Sequence, residues 1–217
     1  MKKIVESFIE ELKRNDDVRG ILLFGSYARG DQRPTSDVDI LVLVREGAWR
    51  DVFDREGQAF EMVYASFDLA KDFYTKNPND AVQQWTDGKI VYDPDEQMDQ
   101  LKSFVDGIRN KGIPQMTEKQ IHHLRFDKED KLSAIEFLKS NDLPTANLYL
   151  QGLCQELVEL YFEIHQLWTP APKQRLKKMR AIDKDAAELF DALYQSNTFE
   201  DQFENTKKVI ERLFGRN

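Results

Sequence analysis

The chain has 217 residues, with 31 basic and 39 acidic side chains, so its formal net charge is −8 at pH 7. This length suits one large domain or two small ones. An acidic surface repels phosphate backbones, which disfavours nucleic acid as a partner. Cys154 is the single cysteine, so the sequence excludes an internal disulfide and a thiolate zinc cluster.

The hydrophobic pattern gives no sign of membrane insertion or export. No run reaches the roughly 18 consecutive apolar residues of a spanning helix. The N-terminus becomes acidic at Glu6 instead of entering the apolar core of a signal peptide. We therefore expect a cytoplasmic protein without a membrane partner.

The N-terminal half mixes helical and strand patterns. Ile4, Phe8, Ile9 and Leu12 recur at helical spacing and predict a helix over 2–14. Short apolar runs rich in β-branched residues predict strands over 18–24, 38–44, 60–66 and 89–92. Asp68 is expected to cap a helix that starts at Leu69.

Beyond Gly112 the spacing becomes uniformly helical. Helices are predicted over 117–140, from Asp142 to Trp168, and over 173–180, 183–195 and 199–214. Gly112 and Pro114 mark the boundary between the two patterns. The sequence thus predicts an α+β protein, with a domain of strands and helices at 1–112 and an all-α helical bundle at 113–217.

One segment carries a pattern of chemical interest. Gly25-Ser26 ends the first predicted strand, ten residues follow, and Asp37-x-Asp39 opens the next strand. Side chains alternate along a strand, so Asp37 and Asp39 share a face, about 7 Å apart along the chain. Two carboxylates on one face form the hard oxygen site that Mg²⁺ accepts. Gly25 lets a phosphate approach the backbone, and Ser26 offers its hydroxyl and free N–H groups.

A third carboxylate is needed if two cations are to lie side by side, and Glu61 is the candidate. It lies within the third predicted strand, between Phe60 and Met62, which face the other way. The alternative is that Glu61 faces solvent on an edge strand.

Residues 21–44, ILLFGSYARGDQRPTSDVDILVLV, resemble the signature of the nucleotidyltransferase superfamily, which includes kanamycin nucleotidyltransferase, the aminoglycoside adenylyltransferases and the minimal nucleotidyltransferases. The resemblance covers residues 1 to about 110 and is only architectural beyond them. It implies a mixed β-sheet flanked by helices that binds a nucleoside triphosphate, followed by a helical substrate-binding domain. It also implies that Asp37, Asp39 and Glu61 are catalytic residues that hold two Mg²⁺ ions.

The same resemblance implies a set of nucleotide contacts. Gly25 and Ser26 would contact the phosphates, and Arg29 and Arg33 are candidate phosphate contacts that could equally pair with Asp31 or Asp37. Tyr27 stands where some relatives carry arginine. Lys173 in the helical half could reach the triphosphate, although a solvated basic face is the commoner explanation of its cluster.

The sequence therefore predicts an Mg²⁺-dependent nucleotidyltransferase that moves AMP from ATP onto a hydroxyl of a small, aminoglycoside-like acceptor. Two alternatives remain: adenylylation of a partner protein, as in antitoxin-like relatives, and an inactive nucleotide-binding protein. A homodimer is left open. The general base is also open, between Glu61 acting through its metal and the acids of the helical half: Glu118, Asp127, Glu129, Asp130 and Glu156.

Overall fold

The structure is a computed structural model that describes residues 3–215. It divides into two compact units, of which one ends at Lys111 and the other begins at Gly112. Each unit has its own hydrophobic core.

Residues 3–111 of the first unit form five strands and five helices. The strands are β1 (Val18–Phe24), β2 (Val38–Val44), β3 (Ala48–Arg55), β4 (Gln58–Ser66) and β5 (Lys89–Tyr92). The helices are α1 (Lys3–Leu12), α2 (Gly25–Arg29), α3 (Phe67–Lys76), α4 (Pro78–Thr86) and α5 (Gln97–Lys111).

The five strands form one sheet in the order β3-β4-β2-β1-β5. The pair β2–β4 is parallel, whereas β1–β2, β1–β5 and β3–β4 are antiparallel. The sheet is therefore mixed, which confirms the predicted α+β fold. β3 and β4 are joined by Glu56-Gly57, whose φ angles of 52° and 77° fit a two-residue hairpin turn.

Side-chain alternation divides the sheet into an apolar face and a face that carries the acidic residues. Phe60 and Met62 on β4 are fully buried, and the ring of Phe8 on α1 packs 4.8 Å from that of Phe60. Glu61 lies between them in sequence and points to the opposite face. The burial of one face therefore fixes where Glu61 points.

Four elements of this unit differ from the sequence expectations. β3, α4 and α5 were not predicted, and α3 begins at Phe67, after Ser66 at the N-cap position. Asp68 thus lies in the first helical turn, where its charge suits the helix dipole, and the prediction that it caps the helix was wrong.

The second unit consists of helices. They are α6 (Glu118–Lys139), α7 (Leu143–Ile164), α8 (Arg175–Ile182), α9 (Lys184–Gln195) and α10 (Phe199–Phe214), with a 3₁₀ turn at Pro172–Gln174. The side chains of Thr117, Asp142, Asp183 and Thr198 cap four of the helices. α7 ends before the predicted Trp168, because the backbone turns at Gln166 with a φ of 55°.

The core of this unit centres on the apolar stripe of α7. Leu153, Leu157 and Tyr161 are buried against other helices of the unit, together with Phe190 of α9. Within residues 3–215, no helix is both long and apolar enough to cross a membrane.

A buried lysine links α6 to α7. Lys128 Nζ donates to Asp127 over 2.8 Å and to Glu156 over 2.6 Å, and its side chain is 9% exposed. Burial opposes its charge, yet the bonds to Asp127 and Glu156 raise the pKa of Lys128 above its usual value. The charge is therefore matched inside the unit.

Candidate metal and nucleotide site

Three carboxylates of the first unit converge at one end of the sheet. Asp39 on β2 and Glu61 on β4 are direct partners in the parallel register, and Asp37 immediately precedes β2. One carboxylate oxygen from each residue lies within 4.8 Å of the others. The structure thus brings together the three acids that the sequence pattern picked out.

This cluster suits a hard divalent cation. Its donors are carboxylate oxygens, which are the ligands that Mg²⁺ prefers. Three negative charges this close repel one another, and a bound cation would offset that repulsion. β4 is flanked by β3 and β2, so the alternative in which Glu61 lies on an edge strand is wrong.

Gly25 lies against the carboxylate of Asp39. β1 ends at Phe24, which pairs with Asp39, and Gly25 then turns into α2 with a φ of 66°. A Cβ at position 25 would lie 1.9 Å from Asp39 Oδ2. Both the positive φ and this close approach require glycine here.

Ser26 carries a buried hydroxyl. Its Oγ atom is inaccessible to solvent and has no hydrogen-bond partner among the residues described. An orphaned buried hydroxyl costs free energy, so it is a sign of strain or of a ligand group that completes it. Its position beside Gly25 and Asp39 favours a ligand.

Tyr27 supports the loop that precedes the acidic pair. Its hydroxyl donates to Gln58 Oε1 over 2.6 Å, and Gln58 Nε2 donates to the carbonyl oxygen of Ser36 over 2.8 Å. Tyr27 and Gln58 are both buried. Tyr27 therefore contributes to positioning Asp37 through Gln58 and Ser36, a role that the sequence did not indicate.

The two loop arginines differ. Arg29 Nε lies 3.1 Å from Asp31 Oδ1, and its Nη1 lies 3.8 Å from Asp87, so it pairs with carboxylates as the structural alternative expected. Arg33 is exposed, and its backbone N–H donates to Ser36 Oγ over 2.9 Å. The predicted phosphate contacts of both residues stay predictions.

A further arginine adjoins the acidic cluster. Arg50 on β3 places Nη2 2.8 Å from Glu61 Oε1. The sequence did not point to Arg50, because β3 itself was not predicted. The alternation of Trp49 and Phe53 with charged residues is the signal that could have revealed the strand.

The residues singled out in the helical half lie in the second unit. Lys173 is exposed in the 3₁₀ turn, and its contact with nucleotide stays a prediction. Arg180 of the same basic segment pairs with Asp191 over 2.9 Å, which is the surface role expected for such a cluster. Asp127 and Glu156, two candidate bases, both accept hydrogen bonds from Lys128.

Comparison of the sequence with known proteins places the chain in a family. A sequence profile of the family described as "Polymerase beta, Nucleotidyltransferase" matches residues 6–97. A putative protein adenylyltransferase of Methanocaldococcus jannaschii is 32% identical over 94 residues, which cover 42% of this chain and 93% of that protein. Another from the same organism is 52% identical over 42 residues, which cover 19% of this chain and 49% of that protein.

The extent of the matches differs between relatives. For the 52% identical relative and two others from the same organism, the chain spans only 43% to 49% of the relative's length. Among solved structures, a nucleotidyltransferase-like protein from Exiguobacterium sibiricum aligns with 97% of this chain and 73% of its own, with a TM-score of 0.50 and 17% identity. At this identity the likeness concerns the fold alone.

Proposed function

Since the chain belongs to the nucleotidyltransferase superfamily of the polymerase β type, we propose that its first unit transfers AMP from ATP to a hydroxyl group of an acceptor. The observation that carries this proposal is the convergence of Asp37, Asp39 and Glu61 within 4.8 Å, beside the buried hydroxyl of Ser26.

The three carboxylates would hold Mg²⁺, with two ions as the proposed complement. Bound Mg²⁺ supplies neutralisation of the phosphate charge and lowers the pKa of a coordinated hydroxyl. Gly25 allows Asp39 to lie close to the backbone, and Gln58 holds the loop that precedes Asp37. Both contacts would fix the positions of the carboxylate ligands. Fixed ligands avoid reorganisation during the reaction.

The start of α2 would bind the phosphates. Gly25 has no side chain to block a phosphate oxygen, and Ser26 Oγ can donate a hydrogen bond that the described residues leave unused. Arg33 is exposed in the loop between Ser26 and Asp37 and would supply a charge-assisted contact. These groups hold the triphosphate so that an acceptor hydroxyl can attack the α-phosphorus in line.

We propose a small, cationic, aminoglycoside-like molecule as the acceptor, with the helical unit contributing to its binding. The net charge of −8 would attract such a cation. A hydroxyl of a partner protein is the second candidate, favoured by the name "putative protein adenylyltransferase" that the curated relatives carry. The presence of all three carboxylates argues against an inactive protein.

Binding of the donor can be tested by thermal shift with ATP, GTP, CTP and UTP, each with and without Mg²⁺. We expect Mg²⁺-dependent stabilisation that favours ATP and is lost in Asp37→Asn. Asp72→Asn is the matched control, because Asp72 is also exposed and its ion pair is with Lys76 on α3. Absence of stabilisation by any triphosphate would count against the proposal.

The acceptor can be tested with α-labelled ATP. Label that enters an added aminoglycoside, with release of unlabelled pyrophosphate, would support the small-molecule acceptor. Label that enters polypeptide instead would favour the protein acceptor. The variant Asp39→Asn should reduce the transfer of label to either acceptor at least about 100-fold, since it removes a charge from the proposed metal site.

A further inference from the structure

Arg50 and Glu61 lie on the same face of neighbouring strands. In the antiparallel register of β3 and β4, Val52 is opposite Glu61 and Arg50 is opposite Val63. Arg50 is therefore the diagonal neighbour of Glu61, within reach of a long side chain. The contact between Arg50 Nη2 and Glu61 Oε1 measures 2.8 Å.

The two members of this pair differ in exposure. The side chain of Arg50 is 63% exposed, whereas that of Glu61 is 28% exposed. The guanidinium thus reaches the carboxylate from the solvent side and can leave it without a large rearrangement of packed groups. Glu61 cannot move as freely, because its strand is paired on both sides.

A guanidinium on Glu61 competes with any cation that uses the same carboxylate. An ion at the cluster of Asp37, Asp39 and Glu61 would bind the carboxylate whose Oε1 atom now contacts Arg50. The positive charge of Arg50 also opposes a second positive charge nearby. Binding of a cation to the three carboxylates and the ion pair between Arg50 and Glu61 therefore disfavour each other.

We propose that Arg50 is a displaceable counter-ion of Glu61. It neutralises and orients the carboxylate before a divalent cation binds, and it yields the carboxylate when the cation enters. Arg50 is thus a positioning residue that lowers the affinity of the cluster for free metal. The inference rests on the proposed function, since it assumes that the three carboxylates hold a divalent cation.

The test measures binding of Mn²⁺, as a spectroscopic substitute for Mg²⁺, to the full chain without nucleotide. We expect Arg50→Gln to tighten Mn²⁺ binding about two- to fivefold, as loss of an exposed competing ion pair should. Arg50→Lys, which keeps the charge but loses the planar fork, should fall between the two. Paramagnetic resonance of free Mn²⁺ gives the affinities independently of catalysis.

Arg55→Gln is the matched control. Arg55 lies on the same strand and makes an ion pair of the same 2.8 Å length, but its partner is Glu11 of α1. The variant Arg55→Gln removes one positive charge, as Arg50→Gln does, but leaves the contact of Arg50 with Glu61 in place. Its affinity for Mn²⁺ should therefore equal that of the wild type.

The outcomes separate the inference from the proposed function. Unchanged or weaker Mn²⁺ binding by Arg50→Gln would overturn the inference, and so would equal tightening by Arg55→Gln. Arg50→Lys with an affinity as tight as that of Arg50→Gln would also overturn it, because a retained positive charge at position 50 would then not compete with the cation. If the wild type binds no Mn²⁺ at all, the metal site of the proposed function fails as well.

Discussion

One group of polar residues in each unit shows a contrast in how polar side chains are paired. In the second unit, the buried Lys128 is matched by Asp127 and Glu156. In the first unit, three carboxylates cluster at one end of the sheet, and the hydroxyl of Ser26 is buried without a partner among the described residues. Polar groups that are fully matched contribute to stability, whereas groups that are crowded or unmatched mark where a ligand is expected.

Gly25→Ala should have the largest effect on stability, because it adds a Cβ 1.9 Å from Asp39 Oδ2 at a φ of 66°. Clash and backbone strain together should lower the free energy of unfolding by about 3 kcal/mol. Gly30→Ala is the control, since Gly30 also has a positive φ but faces open space, and it should cost about 1 kcal/mol. Calorimetry compares the two, and equal losses would contradict the role of the Asp39 contact.

Lys128→Met tests the matched cluster of the second unit. It removes the buried cation but leaves Glu156 its bond to Lys131 at 2.8 Å. We expect a loss of about 2 kcal/mol, below the value for a fully buried pair because the carboxylates are partly exposed. The control Lys184→Met breaks a 3.6 Å pair whose side chains are 83% and 67% exposed. If Lys184→Met lowered the free energy of unfolding as much as Lys128→Met, the prediction would be contradicted.

The same cluster predicts a dependence of stability on pH. Burial would raise the pKa of Glu156, but hydrogen bonds from Lys128 and Lys131 dominate and hold it below its usual value. A depressed pKa adds stability above the unfolded-state pKa and loses it as the pH falls through the folded-state pKa. The difference in melting temperature between the wild type and Glu156→Gln should therefore be constant above about pH 5 and narrow below it. A difference that grows on acidification would refute this.

The smallest effect on the free energy of unfolding is expected for Ser26→Ala. The matched comparison is Thr206, which carries a buried hydroxyl in the second unit. Ser26 Oγ has no partner to lose among the described residues, so the free energy of unfolding should change by less than about 0.5 kcal/mol. Thr206 Oγ1 donates to the Gln202 carbonyl oxygen over 2.7 Å, so Thr206→Val should cost about 1 kcal/mol. Chemical denaturation measures both, and a larger loss for Ser26→Ala would show a hidden structural role.

The strands with apolar runs were predictable, among them the edge strand β5, whereas the other edge strand, β3, was not. β1, β2 and β5 have the predicted bounds, because their apolar and β-branched residues favour a strand. β3 carries charged residues on both faces, as expected of an edge strand that is largely exposed. The alternation of Trp49 and Phe53 with charged residues is therefore a weaker strand signal than the apolar runs of β1 and β2.

The convergence of the acids was predictable, but their support was not. Asp37 and Asp39 are two residues apart, so local strand geometry alone places them on one face. The contacts of Tyr27 with Gln58 and of Arg50 with Glu61 depend on which strands pair and in which register. Such long-range pairing leaves no local signal in a single sequence.

The register of β4 against β2 also constrains how the chain can change in length. Asp39 faces Glu61 only in the observed frame, so a slip by one residue would turn Glu61 into the layer that holds Phe60. A slip by two would restore the face but move the carboxylate by about 7 Å. A change of length between β2 and β4 therefore leaves the arrangement of the acids intact only if β4 keeps this register against β2. It also leaves Arg50 beside Glu61 only if β3 keeps its own register against β4.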